Sequence, residues 1–328
     1  MDERLKTLSS WAQEQLADPG LELRPASADA SFRRYFRIQS GDKSYIVMDA
    51  PPEHEDSAPY IHAAHALLDL GLNVPEILAQ DLERGFLLLS DLGDRTYLSE
   101  LSAENADRLY NDAVDALIVL QTGTRREPNC FPKYSRDLLR GEMELFRLWY
   151  VPHRLGLALS DEQHLIIENT FSLLADAALA QPQVWVHSDY HSRNLMVTEH
   201  NNPGILDFQD AVLGPVAYDL VSLLRDCYVA WPQYKIDNWI QTYHGLALQA
   251  DVLITADEQE FRTWFDFIGV QRHIKVLGIF ARLYHRDGKA NYLDDLPTVL
   301  SYLLQVTANH VVLRPFHDLL LDLHPEAG

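Results

Sequence analysis

The 328-residue sequence predicts an α+β chain in two parts, a small antiparallel-sheet N-terminal lobe over residues 1–93 and a large, mainly helical C-terminal lobe over 94–328. Three observations predict it. Short alternating segments separated by turns fill the stretch from about 20 to 90. Beyond residue 95, apolar residues recur at helical spacing. Inside the helical part, the run VWVHSDYHSRNLMV (184–197) is followed by GILDFQD (204–210), so that short apolar segments frame a polar loop and then deliver a further carboxylate.

The elements follow in order. Leu5, Leu8, Trp11, Ala12 and Leu16 recur at helical spacing with Gly20 as a stop, which predicts a lead helix. Leu21 to Leu23 reads as a short strand. Residues 32–38 alternate aromatic and basic, turn at Ser40-Gly41-Asp42, and pair with 44–48. Ala58 to Leu70 reads as a helix ended by Gly71, with His62 and His65 on its face; 74–79 and 86–89 read as strands. Helical patterns then span 103–121, 137–150, 160–179, a segment opening at Gly214-Pro215, 232–248, 255–286 and 296–309. Ser160 with Gln163, and Thr255 with Glu258, have the spacing of capping boxes. Glu142 and Glu144 read as solvated carboxylates, and the tail from Pro315 as short and partly apolar.

Composition narrows the function. A net charge of −21 argues against a partner with a phosphate backbone, so no nucleic-acid partner is expected. Two widely separated cysteines, Cys130 and Cys227, read as reduced thiols in a cytoplasmic protein. The first residues lack an apolar signal region and no apolar span is long enough for a membrane helix, so no membrane partner is expected. Nothing in the sequence specifies an oligomeric state.

The chemistry is concentrated in 184–210. In H-x-D-x-x-x-x-N followed by an Asp after a short strand, each polar residue has a task in phosphoryl transfer. Asp189 accepts a hydroxyl proton, and Asn194 and Asp207 hold Mg²⁺ on nucleotide phosphates. Such transfer needs positioning and charge neutralisation more than covalent chemistry. A competing reading takes His187, Asp189 and His191 as ligands of a hydrolytic metal, since alternation would put them on one face. Zinc sites require further ligands, and the sequence has no matching second cluster.

With this run and the Gly214…Asp219 segment in place, the sequence resembles the aminoglycoside phosphotransferase and choline kinase superfamily over most of its length. The segments SADASFRRYFR (27–37), VMDAPP (47–52), DLERGFLLL (81–89) and EMELFRLWY (142–150) resemble, within it, the branch that phosphorylates the anomeric hydroxyl of N-acetylmuramate and N-acetylglucosamine in peptidoglycan recycling. The resemblance implies a bilobal protein-kinase-like fold, ATP and Mg²⁺ as cofactors, and a small amino sugar as substrate. It makes Asp189 the base, with His187 bracing its loop and Arg193 a further catalytic candidate; Asp219 stabilises the loop from the following helix. Ser27, Ser31, Phe32 and Arg33 would cover the ATP phosphates, and Ser90, Asp91 and Leu92 would form the adenine hinge. Asp210, Arg225, Glu144, Trp149 and Tyr150 are the candidate sugar contacts, although Trp149 and Tyr150 also suit an ordinary core.

One departure stands out. Kinases of this fold carry a strand lysine that grips the α- and β-phosphates. The matching position here is Met48, with Lys43 out of register at the start of the strand. Arginines 33, 34 and 37 fit either a solvated face or a phosphate grip. The missing lysine keeps open a non-catalytic nucleotide- or sugar-binding module, and an aminoglycoside or choline-like amine is the alternative acceptor.

Overall fold

Alternation of buried and exposed positions builds the sheet. The computed structural model describes residues 3–28, 32–254 and 257–325, with the side chains of 27 and 28 outside that set. Strands β1 (Arg24–Ala28), β2 (Arg34–Ser40), β3 (Lys43–Asp49), β4 (Ile77–Asp81) and β5 (Phe86–Ser90) form one antiparallel sheet in the order β1-β2-β3-β5-β4. Phe36, Ile38, Val47, Phe86 and Leu88 share one face, as a period of two requires. They pack against Leu8, Trp11 and Ala12 of α1 (Glu3–Leu16).

A buried carboxylate locks that helix in place. Asp49, fully buried at the end of β3, accepts from Arg4 Nε at 2.8 Å and from Arg34 Nε at 2.9 Å. Arg4 also donates to the Arg84 carbonyl at 2.6 Å. Asp49 is buried while the two arginines stay partly exposed, so the carboxylate is the group that cannot go unpaired. Gly85 closes the β4–β5 turn at φ +74°, where a Cβ would stand 1.9 Å from the Ala50 carbonyl oxygen. Only glycine fits there.

The chain divides into two compact units, Met1–Glu100 with Asn194–Asp210, and Leu101–Arg193 with Ala211–Gly328. The first holds the sheet, α1, α2 (Ala58–Asp69), α3 (Tyr97–Glu100) and a hairpin of two short strands. The second is built on α4 (Ala106–Arg126), α5 (Arg136–Leu145), α6 (Asp161–Leu179), α7 (Tyr218–Leu224), α8 (Gln233–Gln249), α9 (Glu258–Asp287), α10 (Leu296–Asn309) and α11 (Arg314–Leu323). Within it, α9 runs through the middle, touching α5, α6, α7, α8 and α10. Ile274, Leu277 and Ala281 on α9 are buried in a core shared with Phe146, Phe171, Leu303 and Phe316.

Several local expectations change. The strand after the lead helix is Arg24–Ala28 rather than 21–23, because pairing with β2 sets its place. Gly214 and Pro215 do not open a helix; they end β9 (Val212–Pro215), which pairs with β6 (Gln183–Val186), and α7 starts at Tyr218. The catalytic insertion is therefore two ladders, since β7 (Leu195–Met196) pairs with β8 (Gly204–Ile205). The 137–150 helix keeps α geometry only to Leu145. It continues as a π-helical stretch, Phe146–Leu155, ended by Gly156 at φ +68°. The capping box at Ser160 and Gln163 is present on both sides. Thr255 lies outside the described residues, and the cap of α9 is Asp257, whose side chain accepts from Glu260 N. The tail is helical as α11.

The close approach of α9 to α5 gives a direct test. A Cβ on Gly278 would lie 2.4 Å from the Leu145 carbonyl carbon and 2.6 Å from Phe146 N. Gly278→Ala is expected to destabilise the protein by about 1–3 kcal/mol, read as a melting temperature lowered by several degrees. An unchanged melting curve would contradict this packing.

Candidate active site

The second unit presents Asp189. After β6 the chain turns sharply at Ser188, φ +79°, a left-handed conformation that a non-glycine residue adopts only when its surroundings impose it. They do so here. Asp219, at the first turn of α7 and fully buried, accepts from His187 N at 2.6 Å and Ser188 N at 3.0 Å. Arg272 Nη1 donates to the Ser188 carbonyl at 3.0 Å. The His187 ring, buried, accepts from Asp189 N at 3.2 Å, which braces the loop from inside. The outcome is an Asp189 side chain that remains 41% exposed, with Arg272 Nη2 at 3.5 Å from its carboxylate.

The charges around Asp189 set its protonation. Burial opposes its ionisation, but the charges of Arg272 and Lys275, and then of His191 and His187, outweigh burial and hold the carboxyl below its ordinary value. Burial keeps His191 below the ordinary imidazole value. For Asp219 burial wins, over the two backbone donors and Arg272, and its pKa is pushed up to about 7. The loop continues through Ser192, whose amide donates to Asp226 at 3.0 Å, and through Arg193, whose guanidinium sits 3.5 Å over the Tyr228 ring.

The first unit presents a pair of oxygen donors, Asn194 and Asp207. Asn194 and Asp207 flank the β7–β8 hairpin, whose closure is continued by Leu206 N donating to the Asn194 carbonyl at 2.9 Å. Asn194 Nδ2 lies 3.3 Å from Asp207 Oδ2, and Gln209 Nε2 donates to Asp207 Oδ1 at 2.8 Å. Asp207 is also left-handed, at φ +65°. An amide and a carboxylate are hard oxygen donors, and Mg²⁺ characteristically takes one or two such protein ligands while keeping phosphates and waters. The donor set therefore fits Mg²⁺ on a nucleotide. A protein-only cage does not form: among the described residues no group of three or more His, Cys, Asp or Glu could hold a metal, which removes the His187–Asp189–His191 reading.

The other candidates from the sequence have varied surroundings. Ser31 and the side chain of Ser27 lie outside the described residues. Phe32 is exposed and stacks on His54 at 4.7 Å between ring centroids, and Arg33 pairs with Glu55 at 3.1 Å. Ser90 N and Oγ both bond the Glu76 backbone, at 2.9 and 2.8 Å. Asp91 takes the Arg37 fork at 2.6 and 3.0 Å, and Leu92 packs beside Gly204. Asp210 is exposed beside Gln209, while Arg225 is buried and paired with Asp266 at 2.7 Å. Glu144 pairs with Arg147. Trp149 packs against the helical core, and Tyr150 is inside it with its hydroxyl 2.9 Å from His324 Nε2.

Sequence reasoning missed Arg272 and Lys275. Their only signal is two cations three residues apart in the middle of a helix, with Val270, Ile274, Val276 and Leu277 beside them. It also read Glu142 as solvated, whereas Glu142 bonds Tyr134 and pairs with Lys275 at 2.8 Å, because a buried lysine demands a counter-charge.

A family model described as "Phosphotransferase enzyme family" matches residues 22–258. The chain belongs to this phosphotransferase family. It is 46% identical over 99% of its length to a Pseudomonas putida protein named N-acetylmuramate/N-acetylglucosamine kinase, 98% of which is covered. A Neisseria meningitidis protein of the same name is 40% identical over 96% of this chain and 95% of its own. The family fold is shared with an ADP-bound aminoglycoside phosphotransferase (TM-score 0.59, 16% identity, 93% of this chain and 99% of that one). It is shared too with a choline kinase from Streptococcus pneumoniae (TM-score 0.63, 13% identity, 91% and 99% covered). The protein is thus a kinase, α+β in fold, with a small antiparallel sheet and a large helical remainder. Among the described residues no helix is long and apolar enough to cross a membrane.

The pKa of Asp219 predicts a pH effect with a definite sign. A carboxyl raised from 3.8 to about 7 in the fold favours the native state fully below pH 3.8, and that contribution is lost as pH rises through 7. Between pH 4 and 7 the unfolding free energy of the native sequence, relative to Asp219→Asn, should fall by a few kcal/mol, at about 1.4 kcal/mol for each pH unit crossed. Parallel pH–stability curves for the two proteins would refute it.

Proposed function

We propose that this chain is an ATP- and Mg²⁺-dependent kinase that phosphorylates the anomeric hydroxyl of N-acetylmuramate and N-acetylglucosamine, working in the cytoplasm where cell-wall sugars are recovered. The observation that carries the reaction type is the half-buried Asp189 carboxylate, held ionised by Arg272 and Lys275 on a loop that leads to Asn194. The acceptor is supported by the near full-length relatives that bear both sugar names.

In this reading the strand-rich lobe, residues 1–93, binds nucleotide, and the helical lobe, 94–328, carries the catalytic loop and the sugar. The acceptor O–H gives its proton to an Asp189 oxygen. The freed electron pair forms a bond to the γ-phosphorus, the bond from that phosphorus to the β–γ bridging oxygen breaks, and ADP leaves with those electrons. The neighbours of Asp189 impose a trade-off. Arg272 keeps it deprotonated but also makes it a weak base. An anomeric hydroxyl is more acidic than an ordinary sugar alcohol, so a weak base suffices for it. Bound with the nucleotide and held by Asn194 and Asp207, Mg²⁺ would neutralise charge on the phosphates.

The decisive assay offers Mg-ATP with both amino sugars beside kanamycin and choline, with product position assigned by phosphorus NMR. An acid-labile anomeric phosphate is expected from the amino sugars. Failure to release ADP above background with either of them defeats the proposal. Asp189→Asn should lower kcat by about 10²–10⁴-fold, with KM for ATP changed only a few-fold. Turnover that survived this change would remove Asp189 from the mechanism.

Arg272→Gln isolates the electrostatic part. Losing the cation raises the Asp189 pKa, so the acid limb of the kcat/KM profile should move to higher pH. A limb that stays in place, in a variant that remains folded, would show that Arg272 does not tune the base.

A further inference from the structure

The two sugars in the relatives' name differ in one place. N-acetylmuramate carries a lactyl ether on O3 of the ring, and with it a carboxylate that is ionised at neutral pH, where N-acetylglucosamine has a hydroxyl. A site that prefers N-acetylmuramate has to offer that group a cation. Three cations of the second unit are already committed. Arg272 donates to the Ser188 carbonyl and faces Asp189 itself. Lys275 is held by Glu142 at 2.8 Å and donates to the Tyr218 hydroxyl at 3.2 Å. Arg225 is buried with Asp266 as its counter-charge, and its Nη1 lies so close to α9 that a Cβ on Gly269 would stand 2.8 Å from it.

Arg193 is placed differently. It is exposed, and among the described residues it makes neither a hydrogen bond nor an ion pair. Its guanidinium lies 3.5 Å from the centre of the Tyr228 ring, with the centre of the Tyr292 ring 6.0 Å away. Both rings are rooted on α9, against Phe280, at 6.4 and 5.0 Å between centroids. Stacking of this kind uses the flat face of a guanidinium and leaves its N–H edge for an acceptor.

The stack is fastened to the loop that carries Asp189. Asp226, buried, accepts from the Ser192 amide through Oδ2 and from the Tyr228 amide through Oδ1, each at 3.0 Å. One carboxylate thus ties the residue before Arg193 to the ring on which Arg193 rests. His191 completes the path: its amide donates to the Asp189 carbonyl at 3.0 Å, and its ring meets Tyr228 edge-on at 5.4 Å. Contacts, and not charge alone, hold Arg193 four residues beyond Asp189. A guanidinium that is already stacked and still lacks an acceptor binds a carboxylate as a fork, with little side-chain freedom left to lose.

We propose that Arg193, stacked on Tyr228, receives the lactyl carboxylate of N-acetylmuramate and so sets the preference between the two sugars. The inference rests on the kinase reading above, and its test separates the two. Specificity constants of the full chain are measured with Mg-ATP for N-acetylmuramate, its uncharged methyl ester and N-acetylglucosamine, in the native protein, Arg193→Gln and Arg193→Lys. Whatever Arg193→Gln does to turnover in general, kcat/KM for N-acetylmuramate relative to N-acetylglucosamine should fall at least tenfold. The same ratio taken for the ester should stay within twofold. Arg193→Lys, which keeps the charge but loses the fork, should lie between native protein and Arg193→Gln. Calorimetric affinities for the three sugars supply the ratios for a variant that turns over too slowly. An unchanged ratio in Arg193→Gln, or equal losses for the acid and its ester, would overturn the assignment. Native protein that phosphorylates N-acetylglucosamine but not N-acetylmuramate overturns it too, and leaves the kinase reading standing. Native protein that phosphorylates neither sugar sinks both.

Discussion

A single buried carboxylate organises the second unit. Asp219 can reside in the interior because two backbone N–H groups, those of His187 and Ser188, close on its two oxygens. The same two bonds force Ser188 into a left-handed turn, and the turn brings Asp189 to the surface beside Arg272. Burial of Asp219, backbone strain at Ser188 and the position of Asp189 are one arrangement. Strain of this kind costs on the order of 1–3 kcal/mol and persists only where neighbours over-determine it. The Arg272 bond to the Ser188 carbonyl and the Asp189 amide bond to the His187 ring supply that over-determination.

Local and global electrostatics point in opposite directions. The chain carries a net charge of −21, yet Asp189 feels two cationic groups from α9, Arg272 and Lys275. Acidity at the scale of the whole chain serves solubility. At the scale of a few ångströms, Arg272 and Lys275 decide which form of Asp189 exists. Glu142 of α5 in turn anchors Lys275, so α5 and α9 are tied by the same cation that acts on Asp189.

Much of this was legible from residue order. The alternation in 34–40 and 43–49, the capping box at Ser160 and Gln163, and the span of α10 are all local signals, and local signals survive folding. The run that carries Asp189, Asn194 and Asp207 stands out in the sequence for the same reason: the three sit at fixed separations with apolar arms on either side. What escaped is tertiary. β9 is a strand only because β6 lies next to it, and its Gly214-Pro215 ending imitates a helix start. Arg272 lies 83 residues from Asp189 and announces itself by nothing but an ill-fitting charge on a buried helix. The three arginines of the 33–37 stretch illustrate the limit well. Identical side chains in one short segment take three different partners, Glu55, Asp49 and Asp91, which no pattern of spacing distinguishes.

The Asp49 knot bears on how the chain comes off the ribosome. Helix α1 is made before the groups that fasten it: counted from Arg4, Asp49 follows 45 residues later and the Arg84 carbonyl 80 residues later. Until then the apolar stripe of Leu8, Trp11 and Ala12 has no sheet to cover, and a 14-residue helix is marginal by itself in water. The segment is synthesised ahead of the sheet it covers and secured only after it.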